Sequence, residues 1–287
     1  MCSESHTPYT RDMVRRAPRS LSGQVSRHVS RHVSRCLATF GLLGLGLGAL
    51  TVTPACRTQS GPDGEATAKK TPRPEVRAFT AEGTELFESF LNDAPDDAPI
   101  VVAIHGRGDS PKNFRELYRR FGGKVHLLVP KAYAPFHTGF SWFDLREGMT
   151  DAELGASVGA ALERLHRAVA SVVGGKRYIV TGFSQGGILS YGFASRYAAE
   201  VRCALPVAGS LPGPLLPGPK QQAAKTRAFH GDADDVIAVK WGFATVETFQ
   251  REGADARLTT YPGLGHSISD GLLSDYFAAL TECVGAP

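Results

Sequence analysis

The chain has 287 residues, of which 42% are hydrophobic and 21% are charged, so it can form one large domain with a substantial buried core. Its formal net charge is +4, but residues 1–55 hold seven arginines and two acidic residues, and the remainder has a net charge of −1. The positive charge therefore belongs to the amino-terminal segment and gives no support to nucleic-acid binding by the rest of the chain.

Residues 1–55 are predicted to be an export signal. Arg11–Arg35 is basic and rich in serine, Leu37–Ala55 contains no charged residue, and Cys56 follows. A basic region followed by an apolar region and small residues is typical of a secretory signal. The run Thr53-Pro54-Ala55-Cys56 resembles a bacterial lipobox, although leucine is usual at the position of Thr53. This resemblance implies that Cys56 becomes lipidated and anchors an exported protein to a membrane.

Other outcomes stay open for this segment. Cleavage after Ala55 would release a soluble periplasmic protein, and an uncleaved segment would remain as a membrane anchor. A start at Met13 would shorten the basic region, and a cytoplasmic form is a further alternative. Residues 56–74 lack apolar periodicity and are predicted to be a flexible tether to a catalytic domain over residues 75–287.

From residue 75 onward, strands and helices alternate. A hairpin is predicted at Val76–Thr80 and Thr84–Phe90. Further strands are predicted at Ile100–Ile104, Val125–Val129, Arg177–Phe183, Val201–Val207, Thr226–Phe229 and Arg257–Tyr261. Helices are predicted at Pro111–Phe121, from the capping box Thr150-x-x-Glu153 to Gly174-Gly175, and at Gln185–Ala199, Val239–Gln250 and Leu272–Leu280. The alternation predicts an α/β fold with a mostly parallel central sheet and helices on both faces.

The run Gly182-Phe183-Ser184-Gln185-Gly186 has the spacing G-x-S-x-G between a predicted strand and a predicted helix. This pattern is typical of a sharp turn that exposes a nucleophilic serine. The backbone N–H of Gln185, at the start of the helix, is then a candidate oxyanion donor.

A serine nucleophile needs a base, and the base needs an orienting acid. After Ser184 the chain supplies three acids in one loop, Asp232, Asp234 and Asp235, and then His266 beyond the last predicted strand. The order Ser, Asp, His is that of the α/β-hydrolases, and all of these residues follow strand ends. The residues alone leave the choice among the three acids open.

Four motifs together resemble the phospholipase/carboxylesterase family, which includes acyl-protein thioesterases. They are His105-Gly106-Arg107-Gly108-Asp109, Ser141-Trp142-Phe143-Asp144, the serine motif, and His230-Gly231-Asp232-Ala233-Asp234. The resemblance implies an α/β-hydrolase fold and a triad of Ser184, Asp234 and His266. It also implies a second oxyanion donor at the N–H of Arg107, and an acyl pocket bordered by Trp142 and Phe143.

The residue at position 107 is more often apolar in this family, so Arg107 departs from the pattern. Its side chain either points to solvent or attracts an acidic group of the substrate. His105 and His230 each follow a strand end closely and are predicted to be structural.

These features predict a serine carboxylesterase that cleaves small-molecule or lipid esters through an acyl-enzyme, with no metal or cofactor. A lysophospholipase and an acyl thioesterase are the alternatives, and from another class a non-catalytic surface lipoprotein with a hydrolase fold. Cys203 is predicted to be a buried thiol, and export leaves a disulfide with Cys283 as an alternative. The sequence does not indicate an oligomeric state.

Overall fold

The computed structural model describes residues 75–286. The predicted export signal, the tether and Cys56 lie outside the described residues, so those interpretations stay predictions. No helix within residues 75–286 has the length and apolar character needed to span a membrane.

The described residues form ten strands and five α-helices. The strands are β1 (Arg77–Ala81), β2 (Thr84–Leu91), β3 (Ile100–Ile104), β4 (Val125–Pro130), β5 (Ala134–Phe136), β6 (Gly139–Ser141), β7 (Tyr178–Phe183), β8 (Val201–Val207), β9 (Thr226–Gly231) and β10 (Ala256–Tyr261). The helices are α1 (Pro111–Glu116), α2 (Asp151–Val173), α3 (Gln185–Arg196), α4 (Val239–Arg251) and α5 (Asp270–Gly285), with 3-10 turns at Leu117–Arg120 and Gly213–Leu215.

Eight strands form one sheet in the order β1-β2-β4-β3-β7-β8-β9-β10. The pairs β1–β2 and β2–β4 are antiparallel, and every later pair is parallel. The prediction of a mostly parallel α/β sheet that opens with a hairpin is confirmed. Because parallel strands end at the same edge, the loops after β3, β7, β9 and β10 lie together.

Each face of the sheet has its own apolar core. Along β3, Ile100, Val102 and Ile104 pack toward α2, α3 and α4, and Val101 and Ala103 pack toward α1 and α5. The alternation follows from the two-residue period of a strand, and burial on both faces explains its continuous apolar sequence.

The predicted helix ends are confirmed where the sequence supplies capping residues. Thr150 Oγ1 accepts a hydrogen bond from the N–H of Glu153, whose carboxylate accepts one from the N–H of Thr150. Gly174 then ends α2 in the left-handed conformation, with φ of 60°. Ser110 caps α1 by accepting from the N–H of Asn113, at 3.3 Å.

Two predicted helices are shorter in the structure. The helix predicted over Pro111–Phe121 changes at Leu117 to a 3-10 turn, in which the N–H of Phe121 bonds to the carbonyl of Tyr118. The glycines at 122 and 123 that follow oppose a longer helix. The helix predicted to reach Ala199 ends at Arg196, because the chain turns at Tyr197 to enter β8.

A disulfide joins Cys203 on β8 to Cys283 on α5, with 5.9 Å between their Cα atoms. The prediction of a free buried thiol at Cys203 is therefore wrong. Both residues lie in the core between α5 and the sheet, and that packing brings two cysteines 80 residues apart into contact.

Candidate active site

Ser184 occupies a strained turn between β7 and α3. Its φ of 57° and ψ of −117° are unusual for any residue with a side chain. The bend turns the chain sharply from the end of the strand into the helix, and Ser184 is half-buried at this point. The G-x-S-x-G spacing thus produces the turn that the sequence predicts.

The flanking glycines are required by close approach of the backbone. A Cβ on Gly182 would lie 2.5 Å from the carbonyl oxygen of Ile104 and the carbonyl carbon of Gly186, and one on Gly186 would collide with the carbonyl of Ile104. The end of β3 and the serine turn are therefore in direct backbone contact.

The structure brings Asp234 and His266 together in the loops after β9 and β10. Nδ1 of His266 lies 2.7 Å from Oδ2 of Asp234. A carboxylate oxygen only accepts, so Nδ1 of His266 is the donor of this hydrogen bond, and a lone pair available for proton transfer would be on Nε2. Nε2 is buried and has no hydrogen-bond partner within the described part of the chain. The ring of His266 lies against Phe183, the residue before the serine, with 4.8 Å between ring centroids.

The other carboxylate oxygen of Asp234 is fixed by the backbone. Oδ1 accepts from the N–H groups of Val236 and Ile237, at 2.9 and 2.8 Å. Burial disfavours the charged form of Asp234, but hydrogen bonds from His230 and His266 and from the backbone outweigh it. The pKa of Asp234 is therefore held well below its usual range.

The three candidate acids have different surroundings. Asp232 is exposed and accepts from the N–H of Gly263 at 2.7 Å, and Asp235 is exposed. Asp234 is the one whose carboxylate bonds to His266.

His230 has a supporting position that the sequence did not reveal. Its Nε2 lies 2.7 Å from the carbonyl oxygen of Ile237 and 3.2 Å from Oδ2 of Asp234. It is buried, which fits its predicted structural role, but it also contacts the carboxylate that holds His266. No local signal in the sequence indicates this contact, because the two residues lie at the end of β9 and in the turn that follows it.

The two candidate oxyanion donors belong to the two segments that meet at Ser184, the start of α3 and the loop after β3. Gln185 is the first residue of α3, so its backbone N–H has no acceptor within the helix. The N–H of Arg107 makes no backbone hydrogen bond within residues 75–286. A Cβ on Gly106 would lie 3.6 Å from Cβ of Ser184, so the loop that carries Arg107 packs directly on the turn.

The side chain of Gln185 is buried and holds the Ser141-Trp142-Phe143 segment. Its Oε1 accepts from the N–H of Trp142 at 2.9 Å and from the hydroxyl of Ser141 at 3.2 Å. Its Nε2 donates to the carbonyl of Phe143 at 3.1 Å. The sequence analysis used only the backbone of Gln185 and missed this role of its side chain. The sequence does not specify which partners a buried polar side chain will bond.

Trp142 connects the loops that carry the two candidate donors. Its indole N–H donates to the carbonyl of His105 at 2.8 Å, and its backbone N–H donates to Gln185. Trp142 and Phe143 are 3% and 7% exposed. Their predicted role at the border of an acyl pocket stays a prediction, because the observed contacts are those of a buried support.

His105 is fully buried at the end of β3. Its Nε2 accepts from the N–H of Ala132 at 3.3 Å, and its Nδ1 lies 2.7 Å from the carbonyl of Gly106. Burial lowers its pKa to about 4, so the ring is neutral near pH 7. These contacts fit the predicted structural role.

The side chain of Arg107 lies over the half-buried ring of Phe136, with its guanidinium carbon 3.9 Å from the ring centroid. No group of three or more His, Cys, Asp or Glu side chains within residues 75–286 is placed to hold a metal ion.

Residues 91–283 match the model of a protein family described as phospholipase/carboxylesterase. The chain belongs to the phospholipase/carboxylesterase family. The match covers about two thirds of the chain and spans all four motifs that suggested the resemblance, so the predicted family is confirmed.

The curated proteins that are similar to this chain include proteins named as acyl-protein thioesterases and proteins named as carboxylesterases. An acyl-protein thioesterase 1 homolog of Dictyostelium discoideum is 26% identical over 188 residues, which are 59% of this chain and 83% of the relative. A probable carboxylesterase of Oryza sativa subsp. japonica is 30% identical over 192 residues, which are 59% of this chain and 82% of the relative.

Solved structures show the same α/β-hydrolase fold. Esterase PE8 is 25% identical with a TM-score of 0.58, covering 66% of this chain and 95% of that chain. A carboxylesterase from Mesorhizobium loti has a TM-score of 0.61 at 19% identity, covering 72% of this chain and 99% of that chain. The second likeness supports the fold alone.

Proposed function

We propose that this family member is a serine carboxylesterase in which Ser184 is the nucleophile, His266 the general base and Asp234 the orienting acid. The observation that carries the proposal is the 2.7 Å contact between Nδ1 of His266 and Asp234. It leaves the basic Nε2 atom buried and unpartnered, on a ring that packs beside the serine turn.

In the proposed reaction, Nε2 of His266 takes the proton of the Ser184 hydroxyl as its oxygen attacks the ester carbonyl. The imidazolium that forms is stabilised by the charge of Asp234, whose low pKa keeps it ionised. His266 then returns the proton to the departing alcohol, which leaves an acyl-enzyme. Water activated by His266 attacks the acyl group, and Ser184 is released with its proton.

We assign the stabilisation of the negative charge that develops on the carbonyl oxygen to the backbone N–H groups of Arg107 and Gln185. Both donors are available and both belong to segments fixed by buried hydrogen bonds, so little reorganisation is needed during the reaction. The dipole of α3 adds to the stabilisation at Gln185.

The substrate class is a carboxylic ester with a small or medium acyl group. A thioester and a lysophospholipid are the alternatives, because the relatives include thioesterases and the family description includes phospholipases. The ester is favoured because the sequence indicates export, away from intracellular acylated proteins. Export and lipidation rest on the sequence alone, and absence of labelled acyl-lipid at Cys56 in the expressed protein would reject the anchor.

The direct test compares Ser184→Ala with a matched control, Ser171→Ala, in p-nitrophenyl butyrate hydrolysis. Ser171 lies on α2, where its hydroxyl bonds to the carbonyl of Ala168. We expect Ser184→Ala to lower kcat by a factor on the order of 10⁴ or more, and Ser171→Ala to retain activity.

A fluorophosphonate probe gives a second readout that does not depend on the choice of substrate. It should form an adduct at Ser184 in the wild type and none in Ser184→Ala. A folded wild-type protein without this adduct would favour the non-catalytic binding protein instead.

A further inference from the structure

Arg107 is placed to do more than supply a backbone N–H. It follows Gly106, which packs against Ser184, and its own N–H is one of the proposed oxyanion donors. Five bonds of about 1.5 Å separate Cα of an arginine from its guanidinium carbon, so the charge lies within about 7 Å of that Cα. A cation is therefore held within about 7 Å of the Cα of the residue whose N–H is proposed to bind the ester carbonyl oxygen.

The guanidinium of Arg107 forms no salt bridge in the described part of the chain. Its Nε is buried and unpartnered, and the side chain makes no ion pair there. Asp144 is near enough to oppose the effect of burial, which lowers the pKa of Arg107. However, the carboxylate of Asp144 forms its ion pair with Arg146, at 2.9 Å, and none with Arg107 among the described residues.

The side chain is nevertheless held in place. Phe136, which supports the guanidinium, lies on the hairpin formed by β5 and β6. That hairpin is joined to the Arg107 loop by two hydrogen bonds, which use the backbone carbonyl and the backbone N–H of Phe140. Its carbonyl accepts from the N–H of Gly108 at 2.8 Å, and its N–H donates to the carbonyl of Asp109 at 3.0 Å. A cation stacked on a ring in a rigid loop is preorganised for an anion.

A partly buried guanidinium without a carboxylate is costly, and it is satisfied when an anionic ligand binds. We propose that the side chain of Arg107 selects ester substrates that carry a carboxylate about 6–8 Å from the scissile carbonyl. This inference rests on the proposed esterase function and adds the substrate class to it. The apolar residue usual at this position would provide no such selection.

The test uses two esters of equal length. One is p-nitrophenyl hexanoate, and the other is the p-nitrophenyl monoester of adipic acid, which ends in a carboxylate. The measured quantity is the ratio of kcat/KM for the anionic ester to that for the neutral ester. A variant that disturbs the oxyanion donor at residue 107 should lower kcat/KM for both esters alike, so this effect cancels in the ratio.

We expect Arg107→Leu to lower this ratio by about tenfold, and Arg107→Lys to lower it less, because lysine keeps the charge but loses the planar stacked geometry. Arg257→Leu is the control, since it removes the same charge from an exposed residue on β10 and should leave the ratio unchanged. Raising the ionic strength should lower wild-type kcat/KM for the anionic ester more than for the neutral one.

A second pair places the anion on the alcohol side, namely 4-acetoxybenzoate and its methyl ester. A fall of the ratio in Arg107→Leu for either pair supports the proposal and shows which side of the ester contacts Arg107. Equal ratios in wild type and Arg107→Leu for both pairs would overturn it. If Arg107→Leu does not fold, the Arg107→Lys ratios and the salt dependence decide in the same way. Hydrolysis that persists in Ser184→Ala would instead reject the proposed function.

Discussion

At the residue scale, the candidate site depends on a few buried polar contacts around a strained serine. Ser184 takes a positive φ in the tight turn between β7 and α3, and the neighbouring glycines allow the backbones to meet. Gln185 and Trp142 then tie the two proposed oxyanion donors to one buried segment. Residues before β7 and at the start of α3 are thus joined through Trp142.

The side chain of Gln185 gives a test of this support. We expect Gln185→Leu to lower kcat by about 10–100-fold with a smaller change in KM, because the peptide donors remain but lose their fixed position. Steady-state kinetics on p-nitrophenyl butyrate would measure both constants. Gln222→Leu, which removes an exposed hydrogen bond to Gly253, is the matched control. A rise in KM with unchanged kcat would argue against a role in positioning the donors.

At the element scale, α5 is attached to the sheet beneath the serine turn by two kinds of contact. Tyr276 bonds to Tyr118 at 2.7 Å and to Thr181 of β7 at 3.0 Å. The disulfide from Cys283 to Cys203 fixes the end of the same helix to β8. Since α5 follows directly after the loop of His266, its attachment also fixes the chain that leaves the proposed base.

Loss of the disulfide should therefore destabilise the protein. A cross-link over 80 residues restricts the unfolded chain, so Cys203→Ala combined with Cys283→Ala should lower the free energy of unfolding by about 2–4 kcal/mol. Urea denaturation with and without a reductant would measure this. The reductant should destabilise the wild type and leave the double variant unchanged, and an equal response of both proteins would contradict the prediction.

At the scale of the whole molecule, stability should depend on pH through His105. Burial lowers its pKa to about 4 from an unfolded value of about 6.5. As the pH falls through this interval, the unfolded chain binds a proton that the folded protein excludes, so stability falls by up to about 3 kcal/mol. Asp234 contributes to stability in its ionised form. Because its pKa is lower in the folded protein than in the unfolded chain, this contribution is present above pH 4 and is lost only in stronger acid.

Denaturation at pH 4.5 and pH 7 would measure the effect of His105. His105→Asn should reduce the difference in unfolding free energy between the two pH values, whereas His137→Asn, at an exposed residue of the β5–β6 connection, should not. The same pH difference in His105→Asn and wild type would assign the effect to other groups.

The sequence predicted the elements whose signals are local. The apolar run of β3, the capping box of α2 and the glycines of the serine motif each specify their conformation within a few residues. The short hairpin of β5 and β6 was missed, since three-residue strands that include Pro135 show no clear period. It forms because Phe140 pairs with the Arg107 loop, a contact between distant parts of the chain.

By itself, the sequence determined the fold class, the serine turn and the order of the candidate triad, because periodicity, capping and motif spacing act over short stretches. The family resemblance already implied Asp234 among the three acids, and the structure places its carboxylate against His266. Only the tertiary structure decided that Gln185 and Trp142 connect the two donor loops and that Cys203 pairs with Cys283. Each of these contacts joins segments that are far apart in sequence. The parallel sheet brings the loops of the site together by ending its strands at one edge, and the packing of α5 on the sheet brings the two cysteines together.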